Sequence, residues 1–504
     1  MSDTSQTEEN SSTKNTPRIH IPSKSTLSHL SKTWREISQN AARSLGLNRI
    51  EKSVTPKNLK RMMRDCLSGR GGDVSARMRT AELGRTYLEL DDDGKFDFLT
   101  LLAKDFCANE DKIRLAINEF MSAKDVSERV IAAYHLRQSS SPERLQLLTQ
   151  FNALPNGVKF LVDIRADLLK IKGKDPYFNA LDRDFEQLLT SWFDAGFLDL
   201  VEMNWNTSAA LLEKLIDYEA VHQITSWGDL RNRLDSDRRC YALFHPRMPD
   251  EPLAFVEVAL VKGMASNVQK ILDEEAPLGV LNNADTAIFY SITNTQKGLR
   301  GISFGEHLIK QVVQHLSQEM PWVKGFATLS PVPGFRSWLA DLDATLFQDG
   351  VTKEEMEHLK AKTGASEAKT AIFLCFQDKE WFQNKELAEL LRGPLCRLCV
   401  AYFLEKDAKG RALDPVARFH LKNGAQLNRI NWLGDISAKG ISQASGIMVN
   451  YRYDLSEIEK NHEGFMNDGK IAMSSQVKAY LKQLGGTLGE ESTLQRLRRT
   501  LGGA

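Results

Sequence analysis

Residues 286–316 read TAIFYSITNTQKGLRGISFGEHLIKQVVQHL, and their rhythm changes twice. The opening TAIFYSIT is aromatic and β-branched, the composition of a buried strand. From Leu308 onward the apolar residues Leu308, Ile309, Val312, Val313 and Leu316 share one helical face, so the spacing predicts a helix beginning near Phe304. Between the two lies Arg300-Gly301-Ile302-Ser303-Phe304-Gly305, whose glycines let the backbone turn tightly. A strand, a glycine-containing loop and a helix start present unpaired N–H groups and the positive dipole end to an anion. A pyrophosphate is a natural guest. Taken alone, a turn of this composition is more often a plain strand-to-helix connection than a ligand site. It is not a Walker loop, since no G-K-[ST] follows, nor a dinucleotide fingerprint, since the preceding strands form no βαβ repeat.

Working outward, RCYALFHP (239–246), LAFVEVALV (253–261) and GFATLSPV (325–332) are further β-rich runs, and HPRMPDEP (245–252) reads as a hairpin-type connection. Helical segments are expected at 304–318, 351–363, 380–392 and 395–405. Before Gly196 the pattern is helical throughout: FDFLTLLAKDF, VKFLVDIRADLLK and FEQLLTSWFDAGFL all space apolar residues by three or four. Nothing in that half reads as an active site. The expected organisation is a polar tail over 1–56 with one short helix near Trp34, a helical bundle over 57–196, an α+β domain with a mixed central sheet over 197–486, and a charged tail over 487–504.

Composition narrows the function. The chain has 504 residues, 42% of them hydrophobic and 26% charged, and its 66 basic and 66 acidic side chains give a net charge of +0. That balance argues against a dedicated nucleic-acid binder. No run approaches the ~18–20 apolar residues of a membrane span. The first fifty residues include Glu8 and Glu9 and lack an apolar signal core, so the cytoplasm is the expected location. Six cysteines are too few for a disulfide framework, and Cys396 with Cys399 reads as a buried helix face rather than half a zinc site.

Two further residues draw attention. In FATLSPVPGF (326–335) an apolar strand is cut off at Ser330 by Pro331 and Pro333, which stiffen the backbone behind a hydroxyl. His420 follows Asp414-Pro415, a good helix opening, and precedes Asn423-Gly424, a good stop. It therefore belongs to the last turn of a short helix, where the dipole would favour the imidazolium and nudge its pKa upward. On the residues alone, a histidine placed like His420 is more often a packing residue than a functional one, and Ser330 could merely terminate a strand. Ninety residues separate them, so spacing does not show that they meet.

The loop RGISFG resembles the [QR]-x-x-G-x-[GA] pyrophosphate loop of the GNAT acetyltransferase superfamily, matching at Arg300 and Gly305 and departing at Ser303. More specifically, GVKFLVDIRADLL, WFDAGFL, EPLAFVEVAL, AIFYSITNTQKGLRG, LSPVPGF, DPVARFHLKNGAQLNRINW and MVNYRY together resemble the malonyl-CoA decarboxylase family from about residue 80 to 470. The resemblance implies a helical domain joined to a GNAT-like catalytic domain, assembly as a homotetramer, and strands splayed around the pantetheine arm. It implies coenzyme A binding by Arg300, Gly301, Ile302, Ser303, Phe304, Gly305 and Glu306, and catalysis by Ser330 and His420, which also touch the substrate.

The implied reaction is decarboxylation of malonyl-CoA to acetyl-CoA. One assignment has Ser330 holding the malonyl group and His420 protonating C2, and another has Ser330 taking a proton from the carboxyl; the resemblance suits either. No metal and no separate cofactor are expected, because the coenzyme A moiety is part of the substrate. Partners are then malonyl-CoA and acetyl-CoA, with no nucleic acid and no membrane. Two other functions compete: an acyl-CoA-dependent N-acyltransferase using the same cleft, and a non-catalytic acyl-CoA-binding regulator.

Overall fold

A computed structural model describes residues 32–36, 55–68, 72–173, 175–302 and 305–485. Among the described residues, every element up to Pro176–Trp192 is a helix, and the first strand begins at Asp199. The sheet comprises β1 (Asp199–Met203), β2 (Arg238–Phe244), β3 (Ala254–Val261), β4 (Thr286–Asn294), β5 (Gly325–Thr328), β6 (Ser330–Pro331), β7 (Gln426–Asn431) and β8 (Met448–Arg452). Their order is β1-β2-β3-β4-β5-β8-β6, with β7 also on β8. All pairings are antiparallel except that of β4 with β5, so the sheet is mixed. An all-helical region followed by an α/β region with a mixed sheet is the architecture expected.

The apolar run of β3 is explained by burial on both sides. Val256, Val258 and Leu260 join one core with the helical half, while Phe255 and Ala259 face two smaller cores across the sheet. Likewise Ala287 and Phe289 of β4 face the large core, and Ile288 and Tyr290 the opposite one. The helix Gly305–Glu319 lays Leu308, Ile309, Val312, Val313 and Leu316 into the large core, all at 0% exposure, as its spacing requires.

β4 and β5 pair only from Thr286↔Gly325 to Phe289↔Thr328. Beyond Phe289, β4 continues to Asn294 on β3, whereas the other chain crosses to β8, where Ser330 pairs with Val449. The two strands therefore separate at their carboxyl ends. That divergence is the sheet's open point.

The short helix expected near Trp34 is present, and two other expectations need correction. Within the expected 1–56 tail, Lys32–Glu36 is helical and Trp34 is fully buried, its indole N–H donating to the Pro155 carbonyl at 2.9 Å and its ring 4.7 Å from that of Phe160. A lone tryptophan in a polar stretch carries enough apolar surface to dock by itself. The expected break between 392 and 395 is absent: Lys385–Leu404 is one helix through Pro394. Leu391, Pro394, Leu395 and Leu398 are all buried, and that packing offsets the one backbone bond that proline removes. Ser330 is not a free strand tip but part of the two-residue β6. The 487–504 tail lies outside the described residues.

Candidate active site

The helix Pro415–Lys422 forms for the reasons its sequence suggests. The Asp414 carboxylate accepts the Ala417 N–H at 2.7 Å, Pro415 takes the first helical position, and Gly424 at φ +77 closes the end. His420 turns inward from this helix and is 2% exposed; Ser330 is 5% exposed. The two meet: His420 Nε2 lies 3.2 Å from Ser330 Oγ.

A third residue completes the group. His420 Nδ1 lies 2.8 Å from the Tyr453 hydroxyl, and the imidazole stacks on Tyr451 at 4.5 Å between centroids. Ser330 Oγ donates to Thr328 Oγ1 at 2.8 Å, and that oxygen also accepts the Tyr451 backbone N–H at 3.1 Å. Ser330 Oγ thus lies between Thr328 Oγ1 and Nε2 of the ring, and Tyr453, as a hydroxyl, can pair with Nδ1 as donor or acceptor. Asn450 fixes the frame, donating from Nδ2 to the Thr328 carbonyl at 2.6 Å while its Oδ1 accepts from Asn431 at 2.8 Å. Tyr453 was not singled out in the sequence. Its signal is the period-two register of MVNYRY, which puts Tyr451 and Tyr453 on one side of the strand.

The electrostatics reverse another expectation. Burial pushes the His420 imidazole down to about 3, so the resting ring is neutral. The helix-end argument gave the opposite sign because it assumed contact with solvent; desolvation is the larger effect here, and no carboxylate touches the ring to offset it. Burial also pushes the Tyr453 hydroxyl far above the ordinary phenol range. The group is buried and uncharged.

Beside it opens a cavity of about 1620 Å³. Its wall includes Asn294 and Gln296 from the end of β4, and Lys297, Arg300, Gly301 and Ile302 from the following loop. Arg300 and Gly301 are exposed and Gly301 has φ +91, a backbone that favours glycine. Ser303 and Phe304 lie outside the described residues. Gly305 and Glu306 open the next helix, and only their backbone is described. The helical half contributes Ala166, Leu169 and Lys170, so it does form one wall of the site.

The cavity is cationic. Lys170, Lys297 and Arg300 stand on one side, and Lys406, Arg411, Arg418, Lys422, Lys470 and Lys478 on the other, against two acids, Glu405 and Asp468. Lys170 is paired with Asp167, and Arg411 and Arg418 with Asp407, yet bases still outnumber acids around the wall. Ser330 and His420 themselves do not line the cavity; Phe419 does, with its ring centroid 5.1 Å from that of His420. The described residues contain no group of three or more His, Cys, Asp or Glu side chains placed to hold a metal ion. Cys396 and Cys399 are buried, and burial pushes the Cys396 thiol up to about 12. No described helix is long and apolar enough to cross a membrane.

Comparison with known proteins bears on this arrangement. The family model described as malonyl-CoA decarboxylase C-terminal domain matches residues 196–490, and that of the N-terminal domain matches residues 106–193. A goose (Anser anser anser) protein named malonyl-CoA decarboxylase, mitochondrial, is 35% identical over 424 residues, spanning 81% of this chain and 84% of its own length. The mouse (Mus musculus) protein of the same name is 36% identical over 372 residues, 72% of this chain and 75% of its own. The crystal structure of malonyl-CoA decarboxylase from Rhodopseudomonas palustris superposes with a TM-score of 0.75 at 41% identity, covering 85% of this chain and 100% of that one. That from Agrobacterium vitis gives 0.74 at 40% identity, covering 84% and 99%. The chain belongs to the malonyl-CoA decarboxylase family.

Proposed function

We propose that this protein removes carbon dioxide from malonyl-CoA and releases acetyl-CoA. The observation that carries the reading is the buried Ser330–His420–Tyr453 group at the edge of a strongly cationic cavity. Malonyl-CoA carries a pyrophosphate, a further phosphate and a carboxylate, and an excess of lysine and arginine suits that charge. The loop from Lys297 to Glu306 would take the nucleotide end, and the malonyl end would pass Phe419 to reach Ser330.

The chemistry needs orientation and proton delivery. The bond between C2 and the carboxylate breaks, its electron pair enters the thioester enolate, and C2 takes up one proton. Ser330 turns its hydroxyl to the malonyl group and holds the breaking bond across the thioester plane. A carboxylate brought into the buried site supplies the negative charge the resting ring lacks, and raises the imidazole pKa. The imidazolium then gives its Nε2 proton to C2 as carbon dioxide departs. Tyr453 suits both states of the ring, because its hydroxyl donates to a bare Nδ1 and accepts from a protonated one. The thioester carbonyl itself receives the electron pair, so the reading calls for neither metal nor separate cofactor. Full activity after dialysis against EDTA is the expected result.

Incubation with malonyl-CoA and no amine acceptor separates this reading from its rivals. The decarboxylase forms acetyl-CoA and carbon dioxide in equal amounts; an acyltransferase or a binding protein forms neither. The proposal includes a homotetramer joined through the helical half, where Leu115, Met121, Val126 and Val130 are exposed. Light scattering should give four times the chain mass of 56.8 kDa, and a monomer mass would remove this part. Cytoplasmic residence is likewise part of the proposal, and cell fractionation decides it.

A further inference from the structure

The cavity loop does not stand by itself. Its inner side is held by Arg165, from the helix Gly157–Ile171 of the helical half, a residue 2% exposed. Arg165 Nη1 donates to the Gly298 carbonyl at 2.8 Å and to the Arg300 carbonyl at 3.0 Å. Its Nε donates to Asp182 Oδ1 at 2.9 Å, and Asp182 Oδ2 accepts from Lys172 at 2.7 Å. The same helix meets the loop backbone to backbone. A Cβ on Gly298 would lie 1.8 Å from the Val162 carbonyl oxygen, so only glycine fits there. Two carbonyls on either side of Leu299 thus converge on one buried guanidinium, whose planar fork is fixed from behind by a carboxylate. This fixes the backbone from which Arg300 and Gly301 face the cavity. Ser330 and His420 lie elsewhere in the fold.

We propose that Arg165 is a positioning residue for the nucleotide end of the substrate: the helical half sets the geometry of the Lys297–Ile302 loop through it, and thereby the affinity for coenzyme A thioesters. The inference rests on the malonyl-CoA reading above. It predicts a split between substrates. Malonyl-pantetheine lacks the pyrophosphate and the adenosine phosphate, so it reaches Ser330 without using the loop.

The test compares malonyl-CoA with malonyl-pantetheine in the full-length wild type, Arg165→Lys, Arg165→Ala and Asp182→Asn. Lysine keeps a cation but has one nitrogen where Arg165 uses two, Nη1 for both carbonyls and Nε for Asp182, so it cannot hold all three partners at once. Asparagine keeps the shape of Asp182 without its charge. These two variants are therefore decisive should the alanine variant not fold. The expected result for Arg165→Lys is a KM for malonyl-CoA raised on the order of tenfold, with kcat nearly unchanged. Asp182→Asn shifts the same way by a smaller factor, and kcat/KM for malonyl-pantetheine stays at the wild-type value in both. Equal losses on the two substrates, or no change on either, overturn the inference. Failure of the wild type to decarboxylate malonyl-CoA would instead overturn the reading on which it rests.

Discussion

Two adjoining regions of this molecule are built on opposite principles. The Ser330–His420–Tyr453 group is closed and uncharged, and each member is fixed by hydrogen bonds to its neighbours. The cavity beyond Phe419 is large, open and lined by nine cationic side chains. The first suits chemistry, because a proton donor in a buried site acts at full strength and needs little rearrangement during reaction. The second suits capture, because charges facing water attract a polyanion at range but are screened by it. On the proposed function, binding and bond-breaking would fall to separate parts of one site, and substitutions in the two parts should separate kcat from KM.

The largest effect belongs to the closed group. His420→Asn should lower kcat at saturating malonyl-CoA by about 10²–10⁴-fold with little change in KM, the range for a lost general acid. A near-normal kcat would place the residue outside the chemistry. Tyr453→Phe removes the hydroxyl at Nδ1 and should lower kcat by roughly tenfold, less than loss of the imidazole itself, since the ring still packs on Tyr451. On the other side, Arg300→Ala should raise KM by roughly tenfold and leave kcat near wild type, and added salt should raise the wild-type KM. A salt-independent KM would break the comparison from the cavity side.

A smaller effect follows from the depressed imidazole. Its pKa falls from 6.5 to about 3 on folding, so between those values the unfolded chain binds a proton that the folded protein does not. Stability therefore declines as pH drops below 6.5, and this loss is absent at higher pH. From pH 7 to pH 5 the contribution is about 2 kcal/mol, at about 1.4 kcal/mol per pH unit within the window. Urea unfolding should show His420→Asn losing less stability over that range than wild type. Equal losses would mean that the resting ring is solvated.

What the sequence made legible is local. The strand, loop and helix of 286–316 follow from periodicity, and the helix carrying His420 from Asp414, Pro415 and Gly424. The meeting of Ser330 with His420 was expected only through family resemblance, since no local rule spans ninety residues. Arg165 was hidden for the same reason: its partners Gly298 and Arg300 lie 133 and 135 residues away. The sign of the His420 shift was missed because dipole reasoning sees the helix but not what packs on its end. The role of the helical half as a cavity wall was invisible because Leu169 and Lys170 look like any amphipathic helix face.

The central claim is that Ser330 and His420 work as one unit, and a double-mutant cycle on kcat tests it most directly. If they share one step, Ser330→Ala/His420→Asn should be no slower than the more damaging single variant. Losses that multiply across the two substitutions would show that the residues act independently, and would contradict the account.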